Sequence, residues 1–225
     1  MTTAREFEIE VPGRGPVAAI LAKPRGAFAA YVLAHGAGAG MRHPFLSEMA
    51  VLLGEAGIAT LRYQFPYMQS GGRRPDPPAI LDASVRAAVD AAASRLPGLP
   101  LVAGGKSMGG RMTSQAAAAE PLPGVRGFAF LGFPLHPPGR PGTVRASHLD
   151  RVTLPMLFLQ GTRDDFADLE LMRGVCGALG SRATLHMVEG GDHSFKVLKR
   201  SGRTQADVMK EIRDTMAAWI RRVAG

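Results

Sequence analysis

The sequence predicts a three-layer α/β/α fold on a mostly parallel sheet with an antiparallel N-terminal edge and no lid domain. Three observations carry this expectation. Short apolar runs rich in β-branched and aromatic residues alternate with longer segments of helical period. The first two apolar runs are joined by a link short enough for a hairpin. The longest stretch of turn formers between two strands, Pro134 to Leu154, is too small to fold as a lid.

Taken in order, strands are expected near Phe7 to Val11 and Val17 to Lys23, separated by Pro12-Gly13-Arg14-Gly15-Pro16 and forming one sheet edge. A strand from Ala29 to Ala34, a helix from Pro44 to Gly57 and a strand from Ile58 to Arg62 make a βαβ unit. Gln64 to Pro78, rich in Pro, Gly and Arg, reads as a loop, and Ala79 to Leu96 reads as a helix stopped by Pro97-Gly98. Leu101 to Gly104 is a short buried strand, and Met108 to Glu120 a helix ended by Pro121. Strands follow at Gly127 to Phe133, Pro155 to Gln160 and Ala183 to Val188, with helices at Phe166 to Leu179 and Thr204 to Val223. No repeat, low-complexity tract or linker interrupts the chain, so residues 1–225 are expected to form a single domain.

Composition narrows the function classes. With 225 residues, 46% hydrophobic and 20% charged, the chain can bury about 70% of its extended surface without metal or disulfide staples. The one cysteine, Cys176, cannot form an internal disulfide and reads as a core thiol in a reducing compartment, which excludes dithiol redox chemistry. Met1 to Glu10 alternates in charge, and no stretch approaches the ~20 apolar residues of a membrane span, so a cytoplasmic location without membrane contact is expected. The net charge of +8, from 27 Lys+Arg against 19 Asp+Glu, is spread singly or in pairs with no interleaved aromatic platform. A solvated basic surface is expected, not a nucleic-acid partner.

The chemistry concentrates where Leu101 to Gly104 runs into Gly105-Lys106-Ser107-Met108-Gly109 and then a helix. A strand that turns this sharply into a helix strains the serine backbone and exposes its hydroxyl at the strand's C-terminal end, with glycines two residues before and after to relieve crowding. The helix N-terminus also aims free N–H groups at an oxyanion formed there. Gly105-Lys106-Ser107 is not the end of a phosphate loop, because Pro100 stands where that motif needs glycine and the intervening positions are strand.

A serine hydroxyl needs a base, and the base needs a group to fix its tautomer. Asp164, in the loop after the strand ending at Gln160, is the first choice of acid, with Asp165 its alternative and a helix N-cap the role of whichever is not used. His193, after Gly190-Gly191-Asp192, is the expected base, and Asp192 is assigned to capping or solvation. His43, His136, His148 and His186 lack metal-ligand spacing, so neither a metal nor another cofactor is expected. His35-Gly36-Ala37-Gly38-Ala39-Gly40 follows a strand with small residues that let backbone N–H groups approach a carbonyl. The Ala37 and Met108 N–H groups are assigned to an oxyanion hole, with His35 orienting the loop. Phe65, Tyr67, Met68, Phe133 and Leu135 follow strand ends and are candidates for an acyl pocket. Lys106, Arg73, Arg74 and Arg163 are candidates for attracting an anionic substrate.

Over nearly its whole length the chain resembles the α/β-hydrolase superfamily, in the compact form of its dienelactone-hydrolase-like branch. The matching positions are His35-Gly36, Gly105-Lys106-Ser107-Met108-Gly109, Gly161-Thr162-Arg163-Asp164 and Gly191-Asp192-His193. Arg62 to Tyr67 through Arg74-Pro75-Asp76 is similar to a loop of small bacterial members that carries no known chemistry. Dienelactone hydrolase uses a cysteine nucleophile where this chain has Ser107, so its substrate does not transfer; nor do the aspartate chemistries of dehalogenases and epoxide hydrolases. The resemblance implies a serine hydrolase cleaving carboxylic esters through an acyl-enzyme, and without a lid the site is expected to be shallow and open and to take soluble short-chain esters. Thioester or amide cleavage, acyl transfer, or a non-catalytic binding role on the same fold are the alternatives.

Overall fold

A computed structural model describes residues 2–225. One eight-stranded sheet runs in the order β1-β2-β4-β3-β5-β6-β7-β8. β1 (Thr2–Val11) and β2 (Gly15–Pro24) form the antiparallel edge, with Ile9 opposite Val17 and Phe7 opposite Ala19. β2 joins β4 (Ile58–Tyr63) antiparallel, and from β4 onward every pairing is parallel, through β3 (Ala29–Ala34), β5 (Leu101–Lys106), β6 (Val125–Leu131), β7 (Met156–Gly161) and β8 (Ala183–Val188).

Strand alternation divides the core in two, because successive side chains leave opposite faces. Ala30, Val32, Phe128, Phe130 and Phe158 face α3 (Pro78–Arg95), α4 (Met108–Ala119) and α5 (Leu169–Leu179). Tyr31, Leu33, Ala129, Leu131, Leu157 and Leu159 face α1 (Pro44–Glu55) and α6 (Gln205–Ala224). These central strands are apolar on both sides and therefore read as near-continuous hydrophobic runs. No helix among the described residues is long and apolar enough to cross a membrane.

Several boundaries differ from the sequence-based expectation for identifiable reasons. The Gln64 to Pro78 segment contains a one-turn helix, α2 (Pro66–Gln69), because Pro66 occupies the first helical position, where its missing N–H costs nothing. β5 extends through Gly105 and Lys106, since pairing with Ala34 on one side and with Phe130 and Leu131 on the other overrides the low strand propensity of glycine. α5 begins at Leu169, not Phe166: the Asp164 carboxylate accepts the Phe166 N–H, and Asp168 caps the helix by accepting from Leu171. Asp165, the alternative acid and expected cap, is exposed and does neither.

The Pro134 to Leu154 segment holds two short 3₁₀ turns, Val144–Ala146 and Leu149–Arg151, and no lid domain. It is pinned to the body of the protein. The His148 imidazole Nε2 lies 2.7 Å from the Ser114 hydroxyl on α4, and His136 Nε2 accepts from the Asp168 N–H at 2.9 Å.

Candidate active site

The strand order reverses between β3 and β5: the chain leaves β3 toward α1 on one face and leaves β5 toward α4 on the other. Diverging loops open a crevice at the carboxyl ends of these strands. Ser107 stands there, between β5 and α4, with φ 52° and ψ −118°. Such a conformation in a non-glycine residue costs roughly 1–3 kcal/mol. The crowding that demands glycine comes from the neighbouring strand: a Cβ at Gly105 would lie 2.4 Å from the Ala34 carbonyl oxygen, and one at Gly109 would lie 2.6 Å from the carbonyl oxygens of Ala34 and His35. The glycines thus let the elbow nest against β3, a contact between strands that local spacing does not reveal.

The structure brings Ser107, His193 and Asp164 into one hydrogen-bonded line. The Ser107 hydroxyl is 2.8 Å from His193 Nε2, and His193 Nδ1 is 2.9 and 2.8 Å from the two carboxylate oxygens of Asp164. A carboxylate only accepts, so Nδ1 carries the ring proton and Nε2 is left to receive one from serine. Asp164 is buried, and its carboxylate also accepts from the Phe166 N–H and the Gln160 amide. Phe166 stacks on the imidazole with ring centroids 4.2 Å apart, limiting its rotation.

The loop that carries His193 is itself braced. Asp192 accepts the N–H groups of Ser194 and Lys196 at 2.8 Å, as its capping assignment expects, and Phe195 is fully buried and stacks on Phe45. The loop passes directly over Gly161, where a Cβ would lie 2.3 Å from the Gly191 carbonyl oxygen and 2.7 Å from that of Asp192. Gly161→Ala is therefore expected to destabilise the fold by about 1–3 kcal/mol and to displace His193. Thermal unfolding, together with the rate of serine labelling by a fluorophosphonate, measures both effects.

The loop after β3 approaches from the other side. Gly36, Ala37 and Ala39 border the cavity beside Ser107, and Met108 is the first residue of α4, where an N–H has no partner within the helix. His35 is fully buried, and burial lowers its pKa to about 4, so it is neutral. Its Nδ1–H donates to the Gly36 carbonyl and its Nε2 accepts from the Phe65 N–H at 3.1 Å, tying the two loops together.

The substrate-pocket expectation requires correction. Phe65, Tyr67, Phe133 and Leu135 are buried in the core and Met68 packs on it; none borders the cavity. The segment from Arg62 to Asp76 instead supports the β3 loop from behind. The Tyr67 hydroxyl accepts from the Gly38 N–H, Gln64 accepts from the Met41 N–H, Arg62 donates to the Met41 carbonyl, and Asp76 accepts from the Tyr67 N–H. The cavity itself is about 280 Å³, with apolar walls from Ala39, Phe45, Leu46 and Phe166, and His43 and Ser194 at its border. Phe45 and Leu46 went unnoticed in the sequence because they lie inside a helix, where their spacing reads only as core. A larger groove of about 710 Å³ between β1 and α3 contains neither serine–histidine pair nor cysteine.

The anion expectation changes too. Arg73, Arg74 and Arg163 are exposed and do not border the cavity. Lys106 does, but its ammonium donates to the His193 carbonyl at 2.6 Å.

A family described as "Alpha/beta hydrolase domain" matches residues 27–221. Dienelactone hydrolase from Anabaena variabilis aligns with a TM-score of 0.78 at 20% identity, covering 100% of this chain and 99% of its own. A lidless α/β serine hydrolase from Xanthomonas campestris aligns at 0.75 and 19% identity, covering 99% and 95%. An α/β serine hydrolase homologue from Coxiella burnetii aligns at 0.76 and 17% identity, covering 97% of each.

Proposed function

This chain belongs to the α/β-hydrolase family, and from that premise we propose that it hydrolyses short-chain carboxylic esters through a serine acyl-enzyme. The observation that carries the reading is the continuous line from the Ser107 hydroxyl through His193 to the buried Asp164 carboxylate, each contact 2.8–2.9 Å. In the proposed reaction Ser107 Oγ attacks the ester carbonyl while its proton passes to His193 Nε2. Asp164 holds the ring and stabilises the imidazolium. The N–H groups of Ala37 and Met108 receive the negative charge on the carbonyl oxygen. Collapse of the tetrahedral adduct breaks the ester C–O bond, and the His193 proton leaves with the alcohol. Water then attacks the acyl-enzyme, losing a proton to His193, which returns it to Ser107 as the acid departs.

Cavity size supports the preference for short acyl groups. At about 280 Å³ it sits at the small end of ligand sites, roughly 300–1,000 Å³, and no lid extends its apolar walls. The test is labelling of Ser107 by a fluorophosphonate, combined with kcat/KM for p-nitrophenyl esters, thioesters and anilides. Acetyl to butanoyl esters are expected to exceed octanoyl by at least ~10-fold, with thioesters and anilides slower, since one misfitting methylene costs ~1–3 kcal/mol. Phe45→Ala should move the optimum toward longer chains. A folded wild-type chain that resists labelling and leaves every ester intact overturns the reading.

A further inference from the structure

We propose that Lys106 is a positioning residue for this hydrolysis, its ammonium clamping the main chain of His193 so that the imidazole stays on Ser107. The proposal rests on the esterase reading above. Lys106 is the last residue of β5, immediately before Ser107, yet its side chain reaches a loop 87 positions away: Nζ donates to the His193 carbonyl oxygen at 2.6 Å. Its Cγ runs beside Gly36. The ammonium comes to rest where the chain segments after β5, β6, β7 and β8 converge. Gly132, at φ 66° after β6, leaves the room: a Cβ there would lie 3.0 Å from Lys106 Nζ, 3.3 Å from the His193 carbonyl oxygen and 3.5 Å from Asp164 Oδ2. The positive φ favours glycine, and a side chain there would press on the ammonium and on the carbonyl it meets.

The chemistry of that position follows from its surroundings. An ammonium-to-carbonyl bond is charge-assisted and about twice as strong as a neutral one, so it restrains the backbone of the base more firmly than a neutral side chain would. The titratable and charged groups facing it are Asp164 from the loop after β7 and Asp192 and His193 from the loop after β8; the ring of Phe195 lies 5.6 Å away. Burial lowers the Lys106 pKa to about 8, and the charges of Asp164 and Asp192 oppose that shift. The lowered value fixes the direction of the pH effect: the ammonium is present below about pH 8, and the clamp weakens as it becomes a neutral amine above it. Since this group acts on the base and not on the substrate, its loss should appear in kcat more than in KM.

The experiment compares wild type, Lys106→Arg and Lys106→Met across pH 6–10. It measures kcat and KM for p-nitrophenyl acetate together with the rate of fluorophosphonate labelling. For wild type, kcat and labelling are expected to decline above about pH 8. Lys106→Arg, cationic throughout, should restore most of the neutral-pH rate without that decline. Lys106→Met should lose about 10-fold in kcat at pH 7 with KM nearly unchanged and no decline near pH 8, because a slightly misplaced base is costly. A folded Lys106→Met that keeps wild-type kcat and labelling rates at pH 7 overturns the proposal, as does a wild-type decline above pH 8 that persists unchanged in Lys106→Arg or Lys106→Met. If Lys106→Met does not fold, Lys106→Gln, which is also uncharged, takes its place in the same comparison. A wild-type chain inert at every pH overturns the esterase reading instead, and this proposal falls with it.

Discussion

Ser107→Ala is expected to lower kcat on p-nitrophenyl acetate by on the order of 10⁴- to 10⁶-fold and to abolish fluorophosphonate labelling, while the protein stays folded. The hydroxyl oxygen is positioned against His193 Nε2, at 2.8 Å. Its removal leaves the proposed oxyanion donors and the cavity to act on bulk water alone. Alanine takes the place of serine without changing the backbone at φ 52°, so the strain of the elbow is retained and the melting temperature should move little. A variant that keeps a tenth of wild-type turnover, with labelling redirected to another residue, would show that the nucleophile lies elsewhere.

Asp164→Asn is expected to cost on the order of 10⁴-fold in kcat, whereas Asp165→Asn should be nearly silent. The two residues are adjacent in sequence and opposite in setting. Asp164 is buried and accepts from His193, the Phe166 N–H and the Gln160 amide; Asp165 is exposed. An amide in place of the Asp164 carboxylate must turn an NH₂ toward one of these donors. That either favours the wrong imidazole tautomer or leaves a buried donor unpaired, at about 1–3 kcal/mol of stability. Kinetics and thermal unfolding of both variants separate the effects. Inactivation by Asp165→Asn with Asp164→Asn active would reverse the assignment.

The contrast between these two aspartates shows where local sequence stops being informative. The strand–glycine–serine–glycine–helix run around Ser107 is legible because every requirement of the turn lies within a few residues. The order of serine, acid and histidine, each after an apolar strand, is legible for the same reason. Choosing Asp164 over Asp165 depends on one residue of loop register. That register is set by contacts between distant segments: Arg163 N–H to the Gly191 carbonyl at 2.8 Å, and the Gln160 amide to the acid. The pocket fails to show for a related reason. An apolar residue after a strand end lines a cavity or fills the core according to what packs on it. Phe65 and Tyr67 are covered by the β3 loop they support, while Phe45 and Leu46, hidden in helical spacing, face the opening.

The sequence alone therefore determines the alternation of strands and helices, the hairpin edge, the absence of a lid-sized insertion and the serine elbow, because each arises from periodicity or turn chemistry within a short window. Tertiary structure decides which acid meets the histidine, which apolar side chains border the cavity, and that the lysine beside the serine reaches the carbonyl of residue 193. Those outcomes depend on how loops from separate strands come to lie over one another at the end of a twisted sheet, and no local pattern encodes a distance across that gap.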